Sequence, residues 1–306
     1  MIFPVLTCLL ASFTLFAATP RKPVLRLQAK KPAITGESSP FIRNPYVGAL
    51  SADAQTGKIL YADGADNLAR PASVTKVMTA LLVLEDVAAG KYSLTDRVQA
   101  TEAAYKSEAS WVGIKAGQSM TVDDLLMSLM VKSANDAAIV LGVNSAGSLE
   151  AFVARMNERA KELGMTKTKY YNPNGLPAPK YGKAFNVTTA NDQLKLALEI
   201  IKHKAIFKYT SAKVATVKDG ADRDLSMLNH NRILRMDKFK ITNPDGSEAV
   251  DGLKTGFIKA GGSSIILTGK RGNKRAIVVV LGSSSSDIRE ENASRLLVDA
   301  LGALCW

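Results

Sequence analysis

The pattern of apolar and polar residues becomes readable from about Val47 onward. The stretch VGALSADAQTGKILYA has two short apolar runs on either side of a turn-rich cluster at residues 53–57, which predicts a β-hairpin. The next apolar residues recur at helical spacing: Val74, Val77, Met78 and Leu81. Pro71 suits the first turn of this helix, and Gly90 is a suitable stop.

The middle of the chain is predicted to be helical. Residues 121–124, Thr-Val-Asp-Asp, resemble a capping box in front of the apolar run that begins at Leu125. After a break at 132–135, Ile139, Val140 and Val143 indicate a second helix. A third runs from Leu149 to Leu163 and is closed by Gly164, and residues 189–204 form a fourth.

The last part of the chain returns to β-rich runs. SSIILTG and RAIVVVLG are joined by KRGNK, which predicts another hairpin, and a final helix begins at about Asp287. Strands at both ends enclose a helical middle. The pattern therefore predicts an α/β (α+β) fold in which one sheet is assembled from the two chain ends and a helical subdomain, about residues 90–205, is inserted.

Two N-terminal segments differ from the rest of the 306-residue chain. Residues 1–18 carry no charge, which is typical of a signal peptide; an uncleaved membrane anchor is the alternative. Residues 19–45 are rich in Pro, Lys and Arg and have no periodicity, so we expect a basic linker. We expect residues 46–306 to form the folded domain. The only cysteines are Cys8 and Cys305, so this domain cannot form an internal disulfide.

The net charge of +12 suits weak attraction to an anionic surface, either a membrane or a wall polymer. Aromatic residues make up only 6% of the chain, and no nucleic-acid-binding module is recognisable. We therefore expect no nucleic-acid partner. The two histidines, His203 and His230, have no cysteine partners and no G-x-S-x-G motif accompanies them, so neither a metal site nor a Ser-His-Asp triad is expected.

Ser73 and Lys76 are three residues apart at the start of the first predicted helix, so both side chains project from one face. A serine hydroxyl becomes a nucleophile when a neighbouring base takes its proton, and a lysine can be that base if burial and positive charge lower its pKa. The pair alone is weak evidence, because serine is also common at helix starts.

Two further segments make the pattern more specific. Ser133 and Asn135 lie in the short link KSANDAA between two helices, where they could equally be helix caps. Lys254, Thr255 and Gly256 lie in a probable strand, where Gly256 is either a weak point or a place where a substrate backbone approaches closely. The order S-x-x-K, S-x-N, K-T-G is far more specific than any one of its members.

With these three motifs the chain resembles the low-molecular-mass D-alanyl-D-alanine carboxypeptidases, which are penicillin-binding serine peptidases. The resemblance extends from about residue 47 to residue 304. It is carried by the segments PASVTKVMTA, SANDAA, YYNPNGLP, LNHNRIL, DGLKTGF and VVVLG. It implies a β-lactamase/transpeptidase-like fold with a mainly antiparallel five-stranded sheet, flanking helices and a helical subdomain.

The resemblance also implies a catalytic role for three residues. Ser73 would attack the carbonyl between two D-alanines and hold the acyl-enzyme. Lys76 would accept the proton of Ser73, and Ser133 would relay a proton to the leaving amine. No cofactor or metal is expected.

The implied substrate-binding residues lie on both sides of the cleft. Asn135 would hold the substrate's amide, while Lys254 and Thr255 would bind the terminal carboxylate beside Gly256. The backbone N–H groups of Ser73 and Phe257 would form the oxyanion hole. The implied partners are a peptidoglycan stem peptide ending in D-Ala-D-Ala and β-lactam antibiotics, and the implied location is the periplasm or cell envelope.

Some features depart from the family. Phe257 stands where many relatives have histidine after K-T-G. An arginine that some members place just after the penultimate strand has no clear counterpart, because residues 283–286 are serines, and Arg289 is only a substitute for it. No second C-terminal domain is expected.

Other functions remain open. A D,D-endopeptidase would use the same residues. A serine β-lactamase is disfavoured because no acidic residue lies between Asn172 and Asp192. A non-catalytic wall-binding protein is the alternative that is not an enzyme.

Overall fold

The computed structural model describes residues 39–101, 104, 110–177 and 184–305, all within a unit that extends from Thr35 to Trp306. The predicted leader, residues 1–18, and residues 19–38 of the predicted linker lie outside the described residues. Nine strands occur in the described part: β1 (Gly48–Asp53), β2 (Ile59–Asp63), β3 (Arg97–Gln99), β4 (Ser119–Thr121), β5 (Val214–Lys218), β6 (Asp224–Leu228), β7 (Val250–Ile258), β8 (Gly262–Arg271) and β9 (Lys274–Ser283).

The main sheet contains five antiparallel strands in the order β2-β1-β9-β8-β7. Strands from the two chain ends therefore meet in one sheet, as the sequence predicts. Strand β9 lies at its centre, and its side chains alternate between two apolar layers, with Ile277 and Val279 in one and Val278 and Val280 in the other. Both faces of this strand are buried, which explains its unbroken apolar run.

The helices of the described part cover both faces of the sheet and form the inserted region. They are α1 (Lys76–Ala88), α2 (Val122–Met127), α3 (Asn135–Ala146), α4 (Leu149–Glu162), α5 (Ala190–Ile200), α6 (Ile206–Thr210), α7 (Arg232–Arg235) and α8 (Ser286–Leu304). Helix α8 packs its Ala293, Leu296 and Leu297 against one face of the sheet, whereas α1 belongs to the core on the other face.

Three of the predicted helix boundaries are confirmed by their local geometry. The hydroxyl of Thr121 accepts a hydrogen bond from the backbone N–H of Asp124 at 3.0 Å, as expected of a capping box. Gly90 and Gly164 follow the ends of α1 and α4 with φ of 71° and 69°, which glycine adopts readily. The fourth predicted helix, at 189–204, is shorter than expected, because α5 ends at Ile200 and a separate helix begins at Ile206.

Two small two-stranded sheets were not predicted. One pairs β3 with β4, and the other pairs β5 with β6. Strands β3 and β4 have three residues each, too short to produce a recognisable alternation.

Among the described residues, no single helix has both the length and the apolar character needed to cross a bilayer. Helices α3 and α4 are long and apolar enough only when they are taken together, and the angle of the bend between them is 85°.

Candidate active site

Ser73 lies in a tight 3₁₀ turn, Ala72–Thr75, that leads directly into α1 at Lys76. The turn is strained at Ala72, which has a left-handed φ of 50°. Such strain persists only where the surroundings hold it, and it is common at active sites. The chain thus places the hydroxyl of Ser73 and the amine of Lys76 one turn apart at the start of a buried helix.

The amine of Lys76 is completely buried and touches three oxygen atoms. Its Nζ lies 3.1 Å from Ser73 Oγ, 2.7 Å from Asn135 Oδ1 and 2.8 Å from the carbonyl oxygen of Asn174. A neutral amine has two N–H donors and one lone pair. If the two donors serve Asn135 and Asn174, the lone pair is directed at the hydroxyl of Ser73. This arrangement is the one that a general base requires.

Burial and charge favour the neutral form of Lys76. Loss of solvation lowers its pKa well below the ordinary lysine value, and the positive charge of Lys254 lowers it further, while the carboxylate of Asp136 opposes this shift. The chemistry inferred from S-x-x-K, a lysine uncharged enough to take a proton, is therefore physically supported at this site.

Ser133 and Asn135 stand at a break between two helical segments. Helix α2 continues as a π-helical turn, Ser128–Lys132, and ends at Ser133 with a left-handed φ of 61°. Asn135 then begins α3 and reaches Lys76, while Ser133 is 4% exposed two residues before it. The break changes the direction of the chain, so that residues 133–135 face the start of α1.

The carboxylate of Asp136 holds a neighbouring loop beside this link. It accepts hydrogen bonds from the backbone N–H groups of Val112, Gly113 and Ile114 at 2.8–3.3 Å. The N–H of Asn135 also donates to the carbonyl of Ser110 at 2.7 Å. Sequence reasoning gave Asp136 no role, because a buried carboxylate that serves backbone donors has no spacing signature.

Strand β7 supplies the K-T-G motif and forms the opposite side of the site. Lys254 and Thr255 are buried, whereas the side chain of Phe257 is 63% exposed at the rim. A Cβ on Gly256 would lie 2.6 Å from the carbonyl oxygen of Pro71 and 3.0 Å from the backbone nitrogen of Ser73. Only glycine lets β7 approach the Ser73 turn this closely.

The ammonium of Lys254 is 1% exposed, and its contact within the described part is the carbonyl oxygen of Thr255, at 3.0 Å. Loss of solvation lowers its pKa to about 7, with a smaller contribution from the charge of Arg289. A negatively charged group beside Lys254 would stabilise its charged form, and the carboxylate of a ligand could be that group.

A third segment, residues 172–175, contacts both Lys76 and the turn that carries Ser73. In the loop NPNG, residues 172–175, the carbonyl of Asn174 accepts from Lys76, and a Cβ on Gly175 would lie 1.9 Å from the carbonyl oxygen of Ala72. Gly175 has a φ of 91°. The resemblance included this segment without giving it a role, because a main-chain contact requires no particular side chain.

His230 is a further residue near the site to which the sequence analysis gave no role. Its backbone N–H donates to the carbonyl of Val131 at 3.1 Å, which brings the end of β6 to the helical segment that carries Ser133. Loss of solvation and then the charges of Lys254 and Lys132 lower the pKa of His230 to about 4. The imidazole is therefore neutral at physiological pH. The only feature of the sequence that singled out His230 was its position in LNHNRIL, one of the segments that carry the family resemblance.

Arg289, the tentative counterpart of the family's arginine, does not line the open cleft. It is 3% exposed, beneath β7 and β8, and forms an ion pair with Glu290 at 2.5 Å. No group of three or more His, Cys, Asp or Glu side chains in the described residues is arranged to hold a metal ion.

Comparison with known proteins agrees with this geometry. Residues 46–285 match the model of the Peptidase S11 family, described as D-alanyl-D-alanine carboxypeptidase. The chain belongs to this family. The match spans all three motifs, from Ser73 to Gly256, so the resemblance inferred from them is confirmed at the level of the family.

Individual relatives show how far the similarity extends. D-alanyl-D-alanine carboxypeptidase DacF of Bacillus subtilis is 32% identical over 81% of this chain, which spans only 60% of that protein's length. The D-alanyl-D-alanine endopeptidase of Escherichia coli is 28% identical over 94% of this chain and 86% of its own length. Among solved structures, penicillin-binding protein D2 of Listeria monocytogenes in its ampicillin-bound form has 29% identity and a TM-score of 0.70. That alignment covers 84% of this chain and 97% of the Listeria chain. These likenesses confirm the predicted fold class.

Proposed function

We propose that the protein is a serine D-alanyl-D-alanine carboxypeptidase that removes the terminal D-alanine from peptidoglycan stem pentapeptides. The observation that carries this proposal is the buried amine of Lys76, whose Nζ lies 3.1 Å from Ser73 Oγ and whose pKa is lowered. A serine with such a base can be acylated at neutral pH without a histidine.

The first half of the reaction forms an acyl-enzyme. Ser73 Oγ attacks the carbonyl carbon between the two D-alanines while Lys76 takes its proton. The backbone N–H groups of Ser73 and Phe257 stabilise the oxyanion, for which each donor contributes about 3–4 kcal/mol. The C–N bond then breaks, and Ser133 relays the proton held by Lys76 to the leaving amine of D-alanine, so that Lys76 is neutral again.

The second half restores the enzyme. Water attacks the ester carbonyl, Lys76 is the group placed to take a proton from that water, and Ser73 leaves as a hydroxyl. Lys254 and Thr255 hold the carboxylate of the terminal D-alanine before it departs, and Asn135 orients the amide of the substrate.

The test is release of D-alanine from a pentapeptide that ends in D-Ala-D-Ala, followed by mass spectrometry. Wild-type protein should release one D-alanine per peptide, and Ser73→Ala should release none. Equal release by both proteins would refute Ser73 as the nucleophile. A fluorescent penicillin should label the wild type alone, whereas a non-catalytic wall-binding protein would take no label. Rapid turnover of the penicillin would instead favour a β-lactamase.

A D,D-endopeptidase is the second candidate. It is favoured by the similarity to the Escherichia coli endopeptidase, which is 28% identical over 94% of this chain. The same residues would cleave a cross-link in which the leaving amine belongs to a second stem peptide. Incubation with a cross-linked dimer and with a monomeric pentapeptide, in parallel, separates the two activities.

The proposed location is the cell envelope, where peptidoglycan lies. The uncharged segment at residues 1–18 supports export, and the excess of basic residues supports weak association with an anionic membrane or wall polymer. Fusion of the leader to an enzyme that is active only after export tests the first point. Sedimentation with anionic vesicles or isolated walls at increasing salt concentration tests the second.

A further inference from the structure

Arg289 lies beneath the strand that carries the K-T-G motif. From the first turn of α8, its Nη1 donates to the carbonyl oxygen of Gly256 at 3.3 Å and to that of Ser264 at 3.5 Å. These two residues are directly opposite each other in the ladder between β7 and β8. The guanidinium therefore joins the two strands at the point where β7 passes the Ser73 turn.

The carbonyl of Gly256 belongs to the same peptide group as the N–H of Phe257. This peptide is trans, so the two bonds point in opposite directions. The carbonyl oxygen contacts Arg289, so the N–H points away from it. The backbone nitrogen of Ser73 lies beside the same residue, 3.0 Å from the position of a Cβ on Gly256. A cation that binds the oxygen of a peptide group draws electron density from it and makes its N–H a stronger donor.

We propose that Arg289 is a positioning residue that fixes and polarises the Gly256–Phe257 peptide group, and thereby strengthens the N–H donor that stabilises the oxyanion. This inference rests on the proposed function. It gives a role in the reaction to a side chain that the substrate does not touch.

The surroundings of Arg289 favour such a role over a purely structural one. Its partner Glu290 is fully buried, yet Arg289 Nε and Glu290 Oε2 have no hydrogen-bond partner among the described residues. Burying a partly satisfied ion pair is a costly way to hold strands together, and apolar side chains of similar volume usually do this as well or better.

The charge of Arg289 also reaches the binding side of the site. It lowers the pKa of Lys254. Glu290 is the counter-charge of Arg289, and Asp287 favours the charged form from farther away, whereas the positive charge of Arg232 disfavours it. Loss of this charge should therefore raise the pKa of Lys254, and a variant that keeps the charge should leave this pKa in place.

The experiment compares Arg289→Met, Arg289→Lys and the control Arg295→Met, which removes an exposed arginine from the same helix. Each is assayed for acylation by a fluorescent penicillin and for kcat and KM with a D-Ala-D-Ala pentapeptide as a function of pH. Arg289→Met should lower the acylation rate and kcat about tenfold, less than loss of a whole donor, with KM within about twofold. The basic limb of the pH profile of Arg289→Met should move to higher pH. Arg295→Met should match the wild type in all of these measurements.

Arg289→Lys keeps the charge, but its single nitrogen cannot take the place of both Nη1, which binds the two carbonyl groups, and Nη2, which binds Glu290. We expect an intermediate kcat at unchanged KM with the basic limb in its wild-type position, and this variant decides the question if Arg289→Met does not fold. Wild-type acylation in both Arg289 variants, or a raised KM with unchanged kcat, would overturn the inference while leaving the proposed function intact. A wild-type protein that takes no penicillin label would contradict both.

Discussion

The ammonium of Lys254 and the amine of Lys76 are both buried in one site, and the charge of Lys254 lowers the pKa of Lys76. The two lysines thus have opposite requirements. In the proposed reaction, Lys76 must be neutral to accept the proton of Ser73, whereas Lys254 must be charged to attract a carboxylate. Burial destabilises both charges, and the substrate's carboxylate restores only that of Lys254.

This relationship predicts a bell-shaped pH dependence. The value of kcat/KM should rise as Lys76 loses its proton and fall above a pH of about 7 as Lys254 loses its own. In the substrate complex the carboxylate raises the pKa of Lys254, so the basic limb of kcat should lie at higher pH than that of kcat/KM. Initial rates over roughly pH 5 to 9 measure both limbs. Basic limbs that coincide would show that Lys254 does not hold the carboxylate.

Replacement of the base by a permanent cation is the second prediction. Lys76→Arg keeps a positive charge but cannot become neutral, so the acylation rate should fall by about 10²–10⁴. Stopped-flow or quenched labelling with a fluorescent penicillin measures the rate. Lys91→Arg is the matched control, because Lys91 is an exposed lysine paired with Asp86. Near-wild-type acylation of Lys76→Arg would mean that another group accepts the proton.

The third prediction concerns the close approach of β7 to the nucleophile. Gly256→Ala places a methyl group 2.6 Å from the carbonyl oxygen of Pro71, so β7 and the Ser73 turn must separate. We expect kcat/KM to fall by at least about 10²-fold, because the oxyanion donors lie on these two segments. Gly302→Ala, which adds a methyl group with no atom within 4 Å in helix α8, should keep full activity and stabilise the protein by about 0.5–1 kcal/mol. Equal activity of the two variants would contradict the account.

The fourth prediction concerns the stability cost of Lys254. Its pKa of about 7 in the folded protein lies below the ordinary value of 10.5, so the unfolded chain binds more protons between these values. The cost of the buried charge is therefore complete below about pH 7 and is relieved as the pH rises. Lys254→Met should increase the free energy of unfolding by about 1–3 kcal/mol near pH 6, with a smaller gain at higher pH. Denaturant unfolding at several pH values measures this, and a gain that grows with pH would be the wrong sign.

The sequence predicts those parts of the molecule where local chemistry and tertiary packing agree. Strand β9 is buried on both faces and is correspondingly apolar, and the cap at Thr121 has a signature of a few residues. The two small two-stranded sheets were not predicted, because their short, partly exposed strands have no clear alternation of apolar and polar residues. Their position is set by contacts between distant parts of the chain.

The same distinction applies to the site. Ser73, Lys76 and Asn135 carry their chemistry in their side chains, so motifs could identify them, and the structure brings these three together. Asn174 acts through its main-chain carbonyl, and Arg289 binds the main-chain carbonyl of Gly256. Many residue types could supply such a carbonyl, so no motif marks these contacts. Only the fold shows that these groups meet.

The most direct test of the central claim is the mass of the protein after brief incubation with ampicillin, followed by peptide mapping. The account predicts that the wild type gains the mass of one ampicillin, that the adduct lies on Ser73, and that Ser73→Ala gains none. An adduct on any other residue, or an equal gain by Ser73→Ala, would contradict it.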